Sequence, residues 1–170
     1  MGSPVVSALV SRQLGCNDLN AMRRIALLIP LSLFLLPACH YAGSTPEVTV
    51  QRFSAPESDL PFSSAVLVGN TLHVAGHLGL DPETRQAPED PAVEAEFLLD
   101  AFAASMALAD MDMDDLIDVT IYCSDIGLYG TFNAAYRKRF TGGFPSRAFI
   151  GSGTLLRGCR FEMLGVAIKR

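Results

Sequence analysis

Histidine and cysteine are scarce in this sequence, and their spacing argues against a metal site. The 170 residues include three histidines and four cysteines, with no Cys-x-x-Cys pair or His/Cys spacing of the kind that binds zinc. Cys16 and Cys39 belong to a leader-like region, which leaves Cys123 and Cys159 in strand-like apolar runs. Export would permit a disulfide between them, but two small buried side chains are the simpler prediction. We expect no metal and no cofactor.

Positive charge is also sparse. The whole chain has 13 Lys+Arg and 18 Asp+Glu. From Cys39 onwards the counts are 10 and 17, a formal charge of −7, because four charged residues come earlier: Arg12, Asp18, Arg23 and Arg24. An acidic chain without a basic stripe argues against a nucleic-acid-binding surface. The one basic cluster, Arg137-Lys138-Arg139, is predicted to be a solvated helix face.

No apolar run is long enough to span a bilayer comfortably. The longest, Ile25 to Leu36, follows Met22-Arg23-Arg24 and leads into Leu36-Pro37-Ala38-Cys39. A basic start, a short apolar core and small residues at a cut site are typical of a secretory signal. The ending resembles a bacterial lipobox, in which Cys39 would become lipidated. An uncleaved membrane anchor or a chance apolar tail is the alternative.

Four segments are therefore expected. Residues 1–21 are an upstream extension of unclear status, residues 22–39 a signal peptide with a lipobox-like end, residues 40–60 a tether with a weak first strand, and residues 61–170 the folded domain. The protein is expected to be exported, either periplasmic or attached to the membrane through a lipidated Cys39. It is expected to be cytoplasmic if the leader is spurious.

The folded part alternates strand and helix patterns. Two apolar runs around Gly69-Asn70 predict a β-hairpin, because this pair tolerates positive φ. Apolar residues at helical spacing predict helices over about 92–110 and 129–140, and period-two alternation predicts strands at 116–123 and 159–168. The order β-β-α-β-α-β-β indicates an α+β fold, a mixed sheet with two helices on one face. The uncovered face would carry apolar side chains and be buried against other subunits.

One arginine stands out. In Gly142–Ile150 a turn and Pro145 lead to Arg147, which enters an apolar, strand-like segment. A guanidinium cannot shed its charge, so it needs partners in such a place. Arg147 is either a fork for a carboxylate or phosphate or a structural or simply exposed arginine. Spacing alone favours the structural role.

Several short motifs, in order, resemble the Rid family, called endoribonuclease L-PSP in older naming. The similarity covers about residues 48–170 and is carried by these stretches: Pro61-Phe62-Ser63, Val68-Gly69-Asn70-Thr71-Leu72, Val74-Ala75-Gly76, Asp114-Asp115-Leu116, Val119-Thr120, Phe132-Asn133, Tyr136 and Pro145-Ser146-Arg147. The resemblance implies a chorismate-mutase-like fold and a homotrimer with three ligand clefts between subunits. It also implies hydrolysis of reactive 2-imino or enamine acids to 2-keto acids and ammonia.

The same resemblance assigns the site. Arg147 would be the catalytic residue and would bind a substrate carboxylate, while a glutamate on the last strand would orient the attacking water. The residues implied to contact a small carboxylate ligand are Arg147, Ala148, Phe149, Phe62, Ala75, Gly76, His77 and Leu164.

Four of these positions depart from the family pattern: Phe62 replaces a tyrosine, Ala75 a serine, His77 a glutamine and Leu164 the water-orienting glutamate. Glu162 is expected to point to the other side of its strand from Leu164, and His73 and His77 to share one side. Two functions stay open. One is a Rid-like deaminase in which His77 or a bound water replaces the glutamate. The other is a non-catalytic trimer that binds small carboxylates. Ribonuclease activity, which the older name suggests, is disfavoured by the acidic charge.

Overall fold

The computed structural model describes residues 47–54 and 60–170. They form six strands and two α-helices in the following order: β1 (Val50–Phe53), β2 (Ala65–Val68), β3 (Thr71–Leu78), α1 (Pro91–Ala107), β4 (Leu116–Cys123), α2 (Tyr129–Tyr136), β5 (Ser146–Gly151) and β6 (Phe161–Ile168). The predicted α+β order is confirmed, and β1 precedes it as a sixth strand. The weak first strand expected within residues 40–60 is β1, and it pairs with β2 at an edge of the sheet.

All six strands form one mixed sheet with the order β1-β2-β3-β6-β4-β5. Only β4 and β5 are parallel, and α2 supplies the crossover between them. The other neighbours are antiparallel. The last strand of the chain thus lies at the centre of the sheet, while β5, which carries Arg147, lies at an edge.

Local sequence explains where these elements begin and turn. Gly69 adopts φ 62° between β2 and β3, as the predicted hairpin requires. Asp90 caps α1 by accepting a hydrogen bond from the Ala92 amide at 2.8 Å, and Pro91 occupies the first helical turn. The second helix ends sooner than predicted, at Tyr136, and continues as a single 3-10 turn over Arg137–Arg139.

The two faces of the sheet differ in burial. The face covered by α1 and α2 carries fully buried side chains, including Leu72, Val119, Ile121, Phe161 and Met163. The alternate positions form the open face of the sheet, which is less buried and mixes apolar side chains (Val66, Val68, Leu164 and Val166) with polar ones (His73, Thr120 and Glu162). The predicted apolar uncovered face is therefore confirmed in part. Burial against other subunits stays a prediction.

A buried ion pair fixes α1 to the central strand. Glu94 of α1 is fully buried, and its Oε2 accepts a hydrogen bond from Arg160 Nε at 2.6 Å. Its Oε1 accepts from the amides of Arg160 and Phe161 at 2.6 and 2.9 Å. Arg160 also donates to the carbonyls of Pro88 and Glu89. Every polar atom of this carboxylate therefore has a partner, as a buried charge requires. We call Glu94 with Arg160 the paired corner.

The basic cluster is not simply solvated. Lys138 and Arg139 form ion pairs with Glu96 of α1, and Arg139 also pairs with Asp100. The expectation of a solvated face holds for Arg137 and for Lys138, whose side chain is 68% exposed, and is wrong for Arg139, whose side chain is 22% exposed because α1 presents two carboxylates to it. Arg137 alone is not paired with a carboxylate among the described residues.

The two domain cysteines are buried and free, as expected. Burial raises the pKa of the Cys159 thiol to about 11, which makes it a poor nucleophile at neutral pH. The expected extension 1–21 and the expected leader 22–39 with Cys39 lie outside the described residues. Within the described ranges, neither helix combines the length and the apolar character needed to cross a membrane.

Candidate functional site

Arg147 lies on the helix-covered side of the edge strand β5. Its guanidinium carbon is 4.8 Å from the ring centre of Tyr136, 5.6 Å from that of Tyr129 and 5.9 Å from that of Phe149. Nη2 donates a hydrogen bond to the Tyr129 hydroxyl at 3.3 Å. Aromatic faces stabilise a cation but do not neutralise it. Among residues 47–54 and 60–170, no carboxylate forms an ion pair with Arg147, so its charge is free to bind an anion.

A cleft of about 210 Å³ opens beside this guanidinium. Its lining consists of Asn133, Tyr136, Arg137, Phe144, Pro145 and Arg147. These residues come from the second turn and the end of α2 and from the approach to β5. We call this cleft, with Tyr129 and Phe149 beneath it, the Arg147 cleft. It has the mix of aromatic walls and a few polar groups that is typical of small-ligand sites.

The two tyrosines of the Arg147 cleft differ in environment. Burial raises the pKa of Tyr136 to about 12, against the opposing effect of the Arg147 charge. Its hydroxyl is buried and has no hydrogen-bond partner in the described part of the chain. A hydrogen bond with Asn133, and then the Arg147 charge, lower the pKa of Tyr129. The Tyr136 phenol therefore stays protonated near neutral pH and can only donate or accept hydrogen bonds.

Glu162 and Leu164 share the open face of the sheet. On β6 the buried positions are Phe161, Met163, Gly165 and Ala167, and the half-buried ones are Glu162, Leu164 and Val166. The expectation that Glu162 and Leu164 point to opposite sides is therefore wrong, because residues two apart on a strand share a face. The Glu162 carboxylate passes over Gly76 of β3, where a Cβ would overlap Oε1. The absence of a side chain at Gly76 makes room for this carboxylate.

His77 is turned under α1 rather than towards the open face. The pairing of β3 with β6 shifts register between Val74 and His77, and this bulge reverses the alternation. His77 Nδ1 lies 2.7 Å from the Ala75 carbonyl oxygen and Nε2 lies 2.7 Å from Ser105 Oγ. Burial lowers its pKa, against the effect of the Ala75 carbonyl. The prediction that His73 and His77 share a side is wrong, since His73 is exposed on the open face. Both ring nitrogens of His77 therefore have partners within the fold, and the side chain does not face the open side.

The remaining predicted residues fall into two groups. Arg147 and Phe149 lie on the helix-covered side of β5, and Ala148 lies between them on the open side. Ala75 and Gly76 lie at the bulge of β3, next to Glu162 and Leu164 of β6. Phe62 is exposed just before β2. One chain does not bring the two groups together, because β6 and β4 lie between β3 and β5.

The separation within one chain follows from the register. Tyr122 of β4 pairs with Glu162 on one side and with Ile150 on the other. Glu162 is thus two strands from β5, and Arg147 lies three residues further along that strand. With strand spacings of about 4.8 Å and a rise of about 3.3 Å per residue, the two backbones are roughly 14 Å apart. Their side chains also start from opposite faces of the sheet. A small acid cannot contact both.

Sequence reasoning missed the aromatic and polar lining of the cleft. Tyr129, Asn133 and Tyr136 follow each other at spacings of four and three along α2, so they share the side of the helix that covers Arg147. Helical periodicity could have shown that these three side chains share one side of α2, although not that this side faces Arg147. No group of three or more His, Cys, Asp or Glu side chains in the described ranges could hold a metal ion.

Comparison with known proteins gives a consistent result. Residues 53–169 match the family model described as Endoribonuclease L-PSP. A protein of Bos taurus named 2-iminobutanoate/2-iminopropanoate deaminase is 33% identical over 121 residues, which is 71% of this chain and 88% of the relative. A protein of the same name from Escherichia coli strain K12 is 27% identical over 125 residues, covering 72% and 98%.

Solved structures agree with the fold. A putative endoribonuclease from Thermotoga maritima aligns with a TM-score of 0.65 at 27% identity, covering 71% of this chain and 98% of that one. The YjgF gene product of E. coli aligns with a TM-score of 0.66 at 26% identity, covering 71% and 99%.

Proposed function

Because the chain belongs to the endoribonuclease L-PSP (Rid) family, we propose that it hydrolyses reactive 2-imino acids to 2-keto acids and ammonia. The observation that carries the proposal is Arg147, whose guanidinium is held against Tyr129, Tyr136 and Phe149 without a carboxylate partner in the described part of the chain. Relatives named 2-iminobutanoate/2-iminopropanoate deaminase support the reaction class.

Arg147 would bind the substrate carboxylate. Its planar fork can donate two parallel hydrogen bonds to one carboxylate, and the tyrosine and phenylalanine rings fix its orientation. Because these rings already restrict the Arg147 side chain, less side-chain entropy is lost when it binds a ligand. In a 2-imino acid the imine carbon is bonded directly to the carboxylate that Arg147 binds. Binding of the carboxylate therefore also positions the imine carbon for attack.

Glu162 is the candidate for the group that orients water. Its carboxylate lies on the open face over Gly76, the same face as Leu164, so the leucine does not remove acid–base chemistry from that face. A carboxylate there can accept a proton from the attacking water and return one to the leaving nitrogen. The water oxygen bonds to the imine carbon, the C–N bond breaks, and the products are a 2-keto acid and ammonia.

The site would be completed between subunits. Within one chain Arg147 and Glu162 are too far apart and lie on opposite faces, whereas a neighbour seated on the apolar open face could bring its own β5 edge to Glu162. This arrangement agrees with the homotrimer and the inter-subunit clefts that the family resemblance implies. It also explains why a half-buried apolar face (Val66, Val68, Leu164 and Val166) is retained.

The test is the rate of imine loss. An amino-acid oxidase generates a 2-imino acid in situ, semicarbazide traps what remains, and the purified protein competes with the trap. We expect faster imine loss with the parent protein and loss of that gain in Arg147→Gln, with Arg52→Gln as a matched arginine variant at the opposite edge of the sheet. A rate equal to that in buffer would contradict the proposal. If the parent instead bound 2-keto acids through Arg147 without accelerating hydrolysis, the protein would be a non-catalytic carboxylate binder.

A further inference from the structure

A second guanidinium lines the Arg147 cleft. Arg137 follows the last residue of α2 and is exposed at the cleft wall, together with Asn133 and Arg147. Its neighbours Lys138 and Arg139 are held by carboxylates of α1. Arg137 has no carboxylate partner in the ranges 47–54 and 60–170. The end of α2 favours a cation at this position, but it supplies no counter-ion.

Two arginines without carboxylate partners in one cleft can bind more negative charge than one carboxylate supplies. A single carboxylate neutralises Arg147 and leaves Arg137 uncompensated beside it. A ligand with a second anionic group gives each guanidinium its own partner, and hydrogen bonds between charged groups are the stronger kind. The chain is acidic overall, with 18 Asp+Glu against 13 Lys+Arg, yet within the described ranges neither arginine of this cleft has a carboxylate partner.

We infer that the Arg147 cleft selects 2-imino acids that carry a second carboxylate on the side chain, that is, imines of dicarboxylic amino acids. Arg147 binds the carboxylate next to the imine carbon, and Arg137 binds the distal one. Asn133, which lines the same cleft, can donate or accept a hydrogen bond along the ligand. The inference rests on the proposed function for its reaction, but the charge argument concerns binding alone.

The experiment measures both binding and turnover with two ligand classes. Calorimetry compares 2-oxoglutarate with 2-oxopentanoate, which has the same chain length and lacks the distal carboxylate. The imine-loss assay compares the imine of glutamate, made by glutamate oxidase, with the imine of norvaline. The protein variants are Arg137→Gln and, as the matched control, Lys138→Gln, which removes a neighbouring positive charge outside the cleft.

We expect the parent to bind 2-oxoglutarate about tenfold more tightly than 2-oxopentanoate, as one added charged hydrogen-bond pair predicts. Arg137→Gln should remove this preference and Lys138→Gln should retain it. Equal binding of the two acids by the parent, or a preference that survives Arg137→Gln, overturns the inference.

If both imines are hydrolysed without preference, the inference fails and the proposed function stands. If 2-oxoglutarate binds through Arg137 but no imine is hydrolysed faster, the inference on binding stands and the deaminase proposal fails. Absence of both binding and turnover overturns both.

Discussion

Two arginines of this domain lie in contrasting surroundings. Arg160, at the paired corner, donates to the buried Glu94 carboxylate and to two backbone carbonyls. Arg147, in the Arg147 cleft, rests on aromatic rings and donates one hydrogen bond, to the Tyr129 hydroxyl. The first lies beside the central strand β6 and the second on the edge strand β5.

The difference separates structural charge from charge that is available to a ligand. A buried carboxylate must have all its partners in the folded chain, because leaving it unpaired is costly. A guanidinium at an edge can instead retain water or bind an anion. The surroundings of each arginine therefore indicate its role, although both residues look alike in the sequence as charges flanked by apolar runs.

The largest effect is expected at the paired corner. Glu94→Gln keeps the shape of the side chain but removes the charge that compensates Arg160. We expect the free energy of unfolding to fall by about 3 kcal/mol or more, as for other broken buried pairs. Denaturant unfolding measures it. Glu96→Gln, two residues further along α1 in an exposed ion-pair network, should cost under about 1 kcal/mol. Equal losses of unfolding free energy in the two variants would show that the buried pair stabilises the fold no more than the exposed network does.

At the Arg147 cleft the expected effect is on activity rather than on stability. Arg147→Gln should lower kcat/KM for imine hydrolysis about 100-fold, since a charged anchor for the substrate is lost. Unfolding free energy should change little, because no folded-state carboxylate loses its partner. If Arg147→Gln lost as much unfolding free energy as Glu94→Gln, Arg147 would have a structural role like that of Arg160.

His77, which is largely buried under α1 without a charged partner in the described part of the chain, is expected to make stability depend on pH. Burial lowers its pKa below the ordinary value of 6.5, so the unfolded chain takes up the proton first as pH falls. Stability contributed by neutral His77 is therefore present above pH 6.5 and decreases as pH falls from there towards the lowered folded-state pKa. Unfolding free energies measured from about pH 8 to pH 5 should show this decrease. His77→Gln should reduce it, and an unchanged slope would contradict the buried placement.

The smallest effect is expected for Tyr136→Phe. The Tyr136 hydroxyl is buried with no partner among the described residues, so removing it relieves a desolvation penalty without breaking a hydrogen bond. We expect stability to be unchanged or to rise by up to about 1 kcal/mol. A clear loss of stability in thermal or denaturant unfolding would contradict this, because it would show that the Tyr136 hydroxyl makes a stabilising hydrogen bond.

Much of the fold could be predicted because it depends on local patterns. The Gly69-Asn70 hairpin, the Asp90-Pro91 start of α1 and the apolar alternation of β4 each follow from a few neighbouring residues. The face on which Glu162 lies also follows from a local pattern, because Glu162 is two residues from Leu164 and side chains two apart on a strand share a face.

Other features depend on contacts that no local pattern contains. The bulge that turns His77 under α1 is a matter of how β3 pairs with β6, a strand formed by residues about 85 positions later. The Glu94–Arg160 pair joins residues 66 positions apart. Arg147 could be singled out as an unusual arginine, but only the packed structure distinguishes it from Arg160.

The central claim is that the site is shared, with Arg147 from one subunit and Glu162 from its neighbour. The most direct measurement mixes Arg147→Gln and Glu162→Gln proteins, each of low activity, after reversible dissociation and reassembly. Random assembly should give a cleft with both groups intact in about a quarter of cases, so about a quarter of the parent's imine-hydrolysis rate should return. If the reassembled mixture stays as inactive as its two components, the site lies within one chain and the account is wrong.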